Sequence, residues 1–385
     1  MRVVQYCDSF SLLSETAIYT WVTELQRQGV DCEVVAHALL NEEQRPFDPV
    51  HIVPRPRNMD WDRLGYKALE LLGLTTAETS WYTTIHKRLE RVLRQRRPDV
   101  LHAHFGDMAW MVAPVASEIG LPLIVTFHGR DISELVKQEE WRRRYRFILW
   151  PSIKFATVLS EEMREAVIRQ GCPPEKVRIV RIGRDIEALP VREERSNREF
   201  SVVSVGRLTE KKGHADAIEV VARLVSEGVH IRFRIFGDGE LRSELEERIA
   251  ELQVGAYVSL EGAKPNDEVI DALRQTDAFL LCSKTASNGD KEGTPNVIVE
   301  AQGMAVPCVS TRHAGIPEMI PRENQWLLAE EGDIDGIASR LAKLERMTPQ
   351  QRMMYGERGR AKMLQEYDLA TECNKFRNLY REATE

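Results

Sequence analysis

Short runs of apolar, β-branched residues alternate with helix-period segments along this chain, and the alternation starts afresh near its middle. Val3–Val4 opens a strand. Ile18, Trp21, Val22 and Leu25 then recur at i, i+3, i+4 and i+7, the spacing of one helix face. Cys32–Ala36 reads as the next strand, followed by strands at 99–103, 121–127 and 155–159. The second round begins with FSVVSVG (200–206) and a helix face of Ile218, Val221, Ala222 and Val225. IRFRIFG (231–237), VSLEG (258–262), AFLLCS (278–283) and PCVST (307–311) continue it. Strands that are apolar throughout, set between helices, belong to parallel sheets covered on both faces. The fold class is therefore α/β, with two Rossmann-like doubly wound units facing across a cleft. Ligands of such sheets bind outside the carboxyl ends of the strands.

The seam is the polar stretch ALPVREERSNREF (188–200). It separates an N-terminal domain, 1–187, from a C-terminal domain, 198–367, and a last helical segment, 368–385, follows. The charge is uneven: 26 Lys and Arg meet 26 Asp and Glu in residues 1–190, against 27 and 34 in 191–385. A net charge of −7 argues against nucleic acid as a partner. The six cysteines are scattered, without metal-ligand spacing, as suits free thiols in a reducing compartment. No uncharged run approaches the roughly 18 residues of a spanning helix. MRVVQYCDSF reads as a strand and not as a signal peptide, so the expected location is cytoplasmic.

The most informative segment is EGTPNVIVE, Glu292 to Glu300. Thr294 fits an N-cap and Pro295 the first helical turn. Gly293 allows close backbone approach, and the free amides near Asn296 suit a phosphate. Glu300, further along the helix, could accept hydrogen bonds from a ribose diol, and Glu292 could meet sugar hydroxyls. Taken alone, the segment equally describes a capped surface helix with two solvated acids. In VGRLTEKKG (205–213), Arg207 and Lys212 follow a strand and suit a diphosphate, although such loop cations usually face water. GDGE (237–240) places Gly237 at a strand-to-helix turn, which fits nucleotide approach or simply a tight turn. In the first half, TFHGRD (126–131) ends a strand with His128 and Asp131, and an imidazole there could bond a sugar hydroxyl or share charge. HAHFG (102–106) offers His102 and His104, at least one of them a core residue. Ser14 of SETA fits the N-cap of the first helix, and its hydroxyl would point at the same cleft as a donor contact.

Together these motifs resemble family four of the retaining glycosyltransferases, with the GT-B fold, over nearly the whole chain. The E-x7-E spacing stands here as Glu292 and Glu300. SET, HAHFG and EGTPNVIVEAQG look most like bacterial exopolysaccharide transferases of the colanic-acid type. The resemblance implies an N-terminal acceptor domain, a C-terminal donor domain and a final helix that packs back on the first domain. It implies that Glu300 binds the donor ribose, while Arg207 and Lys212, with amides near Thr294, bind the diphosphate. Glu292 and His128 would be the catalytic residues at the donor sugar, with Asp131 and His104 as further sugar or acceptor contacts. It also implies retention of anomeric configuration by front-face displacement, without a metal, and domain closure with hinges near 185–200. The co-substrate would be a UDP- or GDP-sugar, and the acceptor a saccharide, lipid-linked or small-molecule hydroxyl.

Two features depart from the family pattern. A Gly-Gly loop is common after the first strand, where this chain has SFSLLSET. An apolar residue is common before the linker, where this chain reads Gly183-Arg184-Asp185. Other readings are a sugar-nucleotide epimerase of the same fold, which would act on donor alone, and a non-catalytic nucleotide-sugar binder. WRRRYRFILW (141–150), with Arg88, Arg91 and Arg94, is read either as a solvated helix leading into a buried strand or as peripheral contact with an anionic membrane surface.

Overall fold

A computed structural model describes residues 1–12, 16–57, 60–193 and 199–385. The chain forms two compact units. One comprises Met1–Leu159, Met163–Val180 and Glu372–Glu385, and the other Ser160–Glu162 and Arg181–Thr371. The chain passes into the second unit at Arg181, ahead of the expected end at 187. The cause is local: Arg184 N–H donates to the Tyr367 carbonyl, and Leu369 N–H donates to the Arg184 carbonyl. A side chain at Gly183 would place its Cβ 2.5 Å from Leu369 Cα.

The first unit is built on seven described strands. They are β1 (Arg2–Phe10), β2 (Asp31–Leu39), β3 (Val50–Ile52), β4 (Val100–His104), β5 (Leu123–Thr126), β6 (Ile153–Val158) and β7 (Val177–Ile179). They pair in parallel in the order β3-β2-β1-β4-β5-β6-β7. The helix Thr16–Arg27 buries Ile18, Trp21, Val22 and Leu25, as their spacing predicts. The second unit has six described strands: β8 (Phe200–Val205), β9 (Ile231–Phe236), β10 (Val258–Gly262), β11 (Ala278–Leu281), β12 (Cys308–Thr311) and β13 (Leu328–Ala329). Their order is β10-β9-β8-β11-β12-β13, again parallel. Apolar clusters cover both faces of this sheet, one centred on Ile218, Val221 and Phe233, the other on Phe279, Ile298 and Met304.

Both sheets reverse their winding beside the first strand, at β1/β4 and at β8/β11, and these are the points where doubly wound sheets open a crevice. The edge strands β3, β7 and β13 escape the sequence reading because two or three residues carry no period. All six cysteines are buried and unpaired as disulfides.

Backbone contact between loops makes a sharp demand at Gly213. Its φ is +66°, and a Cβ there would lie 1.8 Å from the Cys282 carbonyl oxygen. Gly228 also has a positive φ, +82°, but open space around it. Gly213→Ala is expected to lower the urea-unfolding midpoint far more than Gly228→Ala, which should cost only the left-handed strain of about 1 kcal/mol.

Candidate functional site

The carboxyl edge of the second sheet is assembled from loops that touch through their backbones. After β8, Gly206 donates to the Phe236 carbonyl, and Leu208 donates to the Asp238 carbonyl. Gly237 has a φ of +142°, and a Cβ on it would fall 1.9 Å from the Gly206 carbonyl oxygen. Gly239 meets Leu208 in the same way, at 2.6 Å. The GDGE turn therefore requires glycine because it packs on the Arg207 loop. Arg207 itself is exposed and forms no ion pair among the described residues. Lys212 ends the short turn Glu210–Lys212 and points its Nζ to Glu292 Oε1, 3.1 Å away, with both side chains largely buried. Lys211 pairs with Asp290 at 2.9 Å, and Ser287 Oγ donates to Glu210 at 2.7 Å. These contacts stitch the Arg207 loop to the segment that follows β11.

Glu292 is also held through its backbone. Its N–H donates to Nε2 of His313, the second residue after β12, at 3.1 Å. The opposite ring nitrogen of this fully buried His faces Glu331 Oε1 at 2.6 Å. Since Nε2 accepts, Nδ1 carries the proton and donates it to Glu331. Glu331 Oε2 accepts from Thr285 N–H at 2.9 Å. Burial works against the ionised Glu331, yet the His313 and Thr285 donors hold its carboxyl below the usual range. The sequence reading missed His313 and Glu331. A histidine just after a strand was the available signal, as it was at His128.

The helix that follows runs Asn296–Gly303, with Pro295 at its N-cap position and no side-chain cap. This corrects the expected start by one residue. Thr294 does not cap the helix; its hydroxyl is buried and has no hydrogen-bond partner among the described residues. Gly293 and Asn296 flank it, half-buried. Glu300 lies on the same helix, mostly buried, with Oε1 hydrogen-bonded to the Arg184 guanidinium. Burial pushes the Glu300 carboxyl up, and Arg184 opposes that shift. The unexpected charge at 184 thus has a partner, across 116 residues of sequence. Glu300 Oε2 makes no hydrogen bond to the described residues.

In the first unit, the strand ends of β4 and β5 carry His104 and His128. The loop after β5 is pinned by Asp131, whose carboxylate accepts from the N–H groups of Gly106 (2.9 Å), Gly129 (2.9 Å) and His128 (3.1 Å). Burial pushes Asp131 up to about 7, against these three donors. Asp131 therefore shapes the His128 loop, with both oxygens engaged by backbone. His104 is fully buried, 3.4 Å from His128, and His102 is buried as well. Trp21 packs on His104 and on His128, at 6.1 and 5.9 Å between ring centroids. Burial lowers His128 to about 3, so its imidazole is neutral in this structure. Ser14 lies outside the described residues.

Three of the four arginines of 141–150 are engaged within the protein. Arg142 donates to the Val136 and Lys137 carbonyls, Arg143 pairs with Glu139, and Arg144 pairs with Glu140 while stacking on Trp110 and Trp141. Arg88 is held by Asp60 and Asp62. No described helix is long and apolar enough to cross a membrane. Among the described residues, no three His, Cys, Asp or Glu side chains are grouped to hold a metal ion.

Two parallel-sheet Rossmann-like units, each with a switch point beside its first strand, define the GT-B class. Solved structures agree: Anabaena HepE in complex with UDP and glucose superimposes with a TM-score of 0.77 at 17% identity, covering 99% of this chain and 100% of that one. The lipopolysaccharide outer core galactosyltransferase WaaB follows at 0.73, 16% identity and 98% of each chain. Residues 185–362 match the family described as glycosyl transferases group 1, and residues 14–183 match the glycosyl transferase 4-like domain. WcaL of Salmonella typhimurium, provisionally named a colanic acid biosynthesis glycosyltransferase, is 34% identical over 96% of both chains. The amylovoran biosynthesis glycosyltransferase AmsK of Erwinia amylovora is 29% identical over 89% of this chain and 90% of its own. The chain belongs to this glycosyltransferase family.

The Arg184–Glu300 pair yields a pH prediction. With Arg184→Leu, the Glu300 carboxyl rises further above its unfolded value near 4.5. The unfolded state then releases its proton first as pH rises, so folding stability falls with rising pH. The variant is expected to lose about 1–3 kcal/mol at pH 7.5 in urea unfolding and less at pH 5, because a partly exposed pair loses less than a fully buried one. Adding Glu300→Gln should recover most of the loss.

Proposed function

We propose that this glycosyltransferase is a retaining enzyme that moves a sugar from a UDP- or GDP-sugar to a saccharide hydroxyl, free or lipid-linked, in exopolysaccharide assembly. One observation carries the reading. A single strand-end edge gathers Arg207, Lys212, Glu292, Glu300 and an unpartnered buried Thr294 hydroxyl, beside the β8/β11 switch point. The names of the similar exopolysaccharide proteins support the acceptor class, and the UDP bound in HepE supports the donor class.

In this reading Glu300 accepts the ribose diol on Oε2 while Arg184 keeps Oε1. Arg207 and Lys212 face the diphosphate, and Lys212 shifts from Glu292 toward it. Glu292 is thereby freed to hold the donor sugar. The bond from the anomeric carbon to the phosphate oxygen breaks, and the bond to the acceptor oxygen forms on the same face. The hydroxyl proton passes to the departing phosphate. The two cations stabilise the charge that develops there, so the reading needs no metal. His128 and His104 belong to the sugar side, the first as a direct contact. An epimerase or a pure binder would bind nucleotide but transfer nothing.

A thermal-shift screen against UDP, GDP, ADP and their sugar conjugates, with EDTA and with magnesium, tests the donor site, since a ligand of the native state raises its melting temperature. One nucleotide class should stabilise the protein in EDTA, and no shift from any of them would defeat the reading. With the donor known, Glu300→Ala should raise donor KM and Glu292→Ala should mainly lower kcat. Arg207→Ala should lower kcat/KM by the equivalent of about 2–4 kcal/mol. An inverted anomeric product in proton NMR would overturn retention. The reading also includes peripheral contact with anionic lipid through the exposed Phe147 and its neighbour Arg146. Cosedimentation should be stronger with anionic than with neutral vesicles and should fall in Phe147→Ser.

A further inference from the structure

Buried polar side chains of the first unit form one unbroken hydrogen-bonded chain that ends on His128. Its far end is the Val125 carbonyl, which can only accept. Thr157 Oγ1 donates to that carbonyl at 3.3 Å. Thr157 therefore accepts from the Thr126 hydroxyl. Thr126, its proton committed, accepts from His102 Nε2 at 2.6 Å, so His102 carries its proton there. The bare Nδ1 of His102 then accepts from the Tyr380 hydroxyl at 2.8 Å. Tyr380 in turn accepts from Gln5 Nε2 at 3.1 Å. Gln5 Oε1 accepts from His104 Nε2 at 2.9 Å, which leaves His104 Nδ1 bare toward His128 Nε2 at 3.4 Å.

We infer that this chain fixes the tautomer of His128, so that Nε2 holds the proton and Nδ1 meets a substrate hydroxyl as a hydrogen-bond acceptor. Gln5 and Tyr380 are positioning residues that act on His128 through His104. The substrate contact rests on the glycosyl-transfer reading; the order of the protons does not. Each neutral imidazole has one N–H, so the order set at Val125 passes through every link without slack. Burial keeps the histidines neutral, with His102 and His128 lowered to about 3 and His104 well below its usual value. The reversed order would turn the Gln5 amide round, although its NH2 group also reaches the Cys32 sulfur, and would take the Thr157 proton away from the Val125 carbonyl. His128 Nδ1 has no hydrogen-bond partner among the described residues.

The test is long-range proton–nitrogen NMR on the full chain labelled with ¹⁵N-histidine, with His128 assigned by the signal lost in His128→Gln. The expected spectrum shows a protonated Nε2 and an unprotonated Nδ1 on His128. Tyr380→Phe keeps the ring that stacks on Phe376 but removes the central hydroxyl, and it should populate the second tautomer at His128, while His102, still anchored through Thr126, keeps its own. Thr126→Val breaks the chain near its other end and should do the same at His102. A protonated Nδ1 on wild-type His128 would overturn the inference. So would tautomers that stay unchanged in both variants. In turnover, Tyr380→Phe should lower kcat and leave donor KM unchanged. No substrate enters the NMR readout, so wild-type turnover by His128→Ala would remove the substrate contact while the proton order stood.

Discussion

A parallel sheet buried on both faces has no room for charge except at its strand ends. That constraint organises both units of this glycosyltransferase. The strands are mostly apolar and helices cover them; the polar residues buried within them are hydrogen-bonded, as Gln5, His102, Thr126 and Thr157 are, and the open polar chemistry collects where β4, β5, β8, β11 and β12 stop. Once gathered there, the loops must touch one another, and they do so at the closest range a backbone allows. Gly213 against Cys282, and Gly237 against Gly206, leave no volume for a methyl group. These glycines fix the loop on which Arg207 and Lys212 stand.

The same edge shows how a site can be held ready without ligand. Glu292 is gripped at its carboxylate by Lys212 and at its amide by His313, which leans on Glu331. Glu300 has one oxygen occupied by Arg184 and the other open. In each case a partner from elsewhere in the unit keeps a mostly buried carboxylate oriented.

What the sequence revealed, and what it hid, follows from the range of the interactions. Strand positions were legible because continuous apolar runs are a local signal. So was the spacing of Glu292 and Glu300, which share one segment. The start of their helix was misread because Thr294 followed by Pro295 is good cap chemistry, yet the Thr hydroxyl turns inward without bonding an amide. Arg184 stood out as an odd residue, but its reason lies 116 positions away. His313 and Tyr380 were invisible for the same cause: their partners are neighbours only in the folded chain. The depth of His128 was hidden as well, because burial is a property of the fold.

The burial of every cysteine has a practical corollary. A thiol must be both ionised and reachable to react with a maleimide dye. Burial raises Cys32 and Cys172 to about 12 and pushes Cys282 and Cys308 up as well, and all six sulfurs lie inside the protein. A cysteine introduced on the surface would therefore be the one reactive thiol of the folded chain. Fluorophores could be attached at chosen sites without first stripping out the native residues, and energy transfer between them could be read on otherwise unaltered protein.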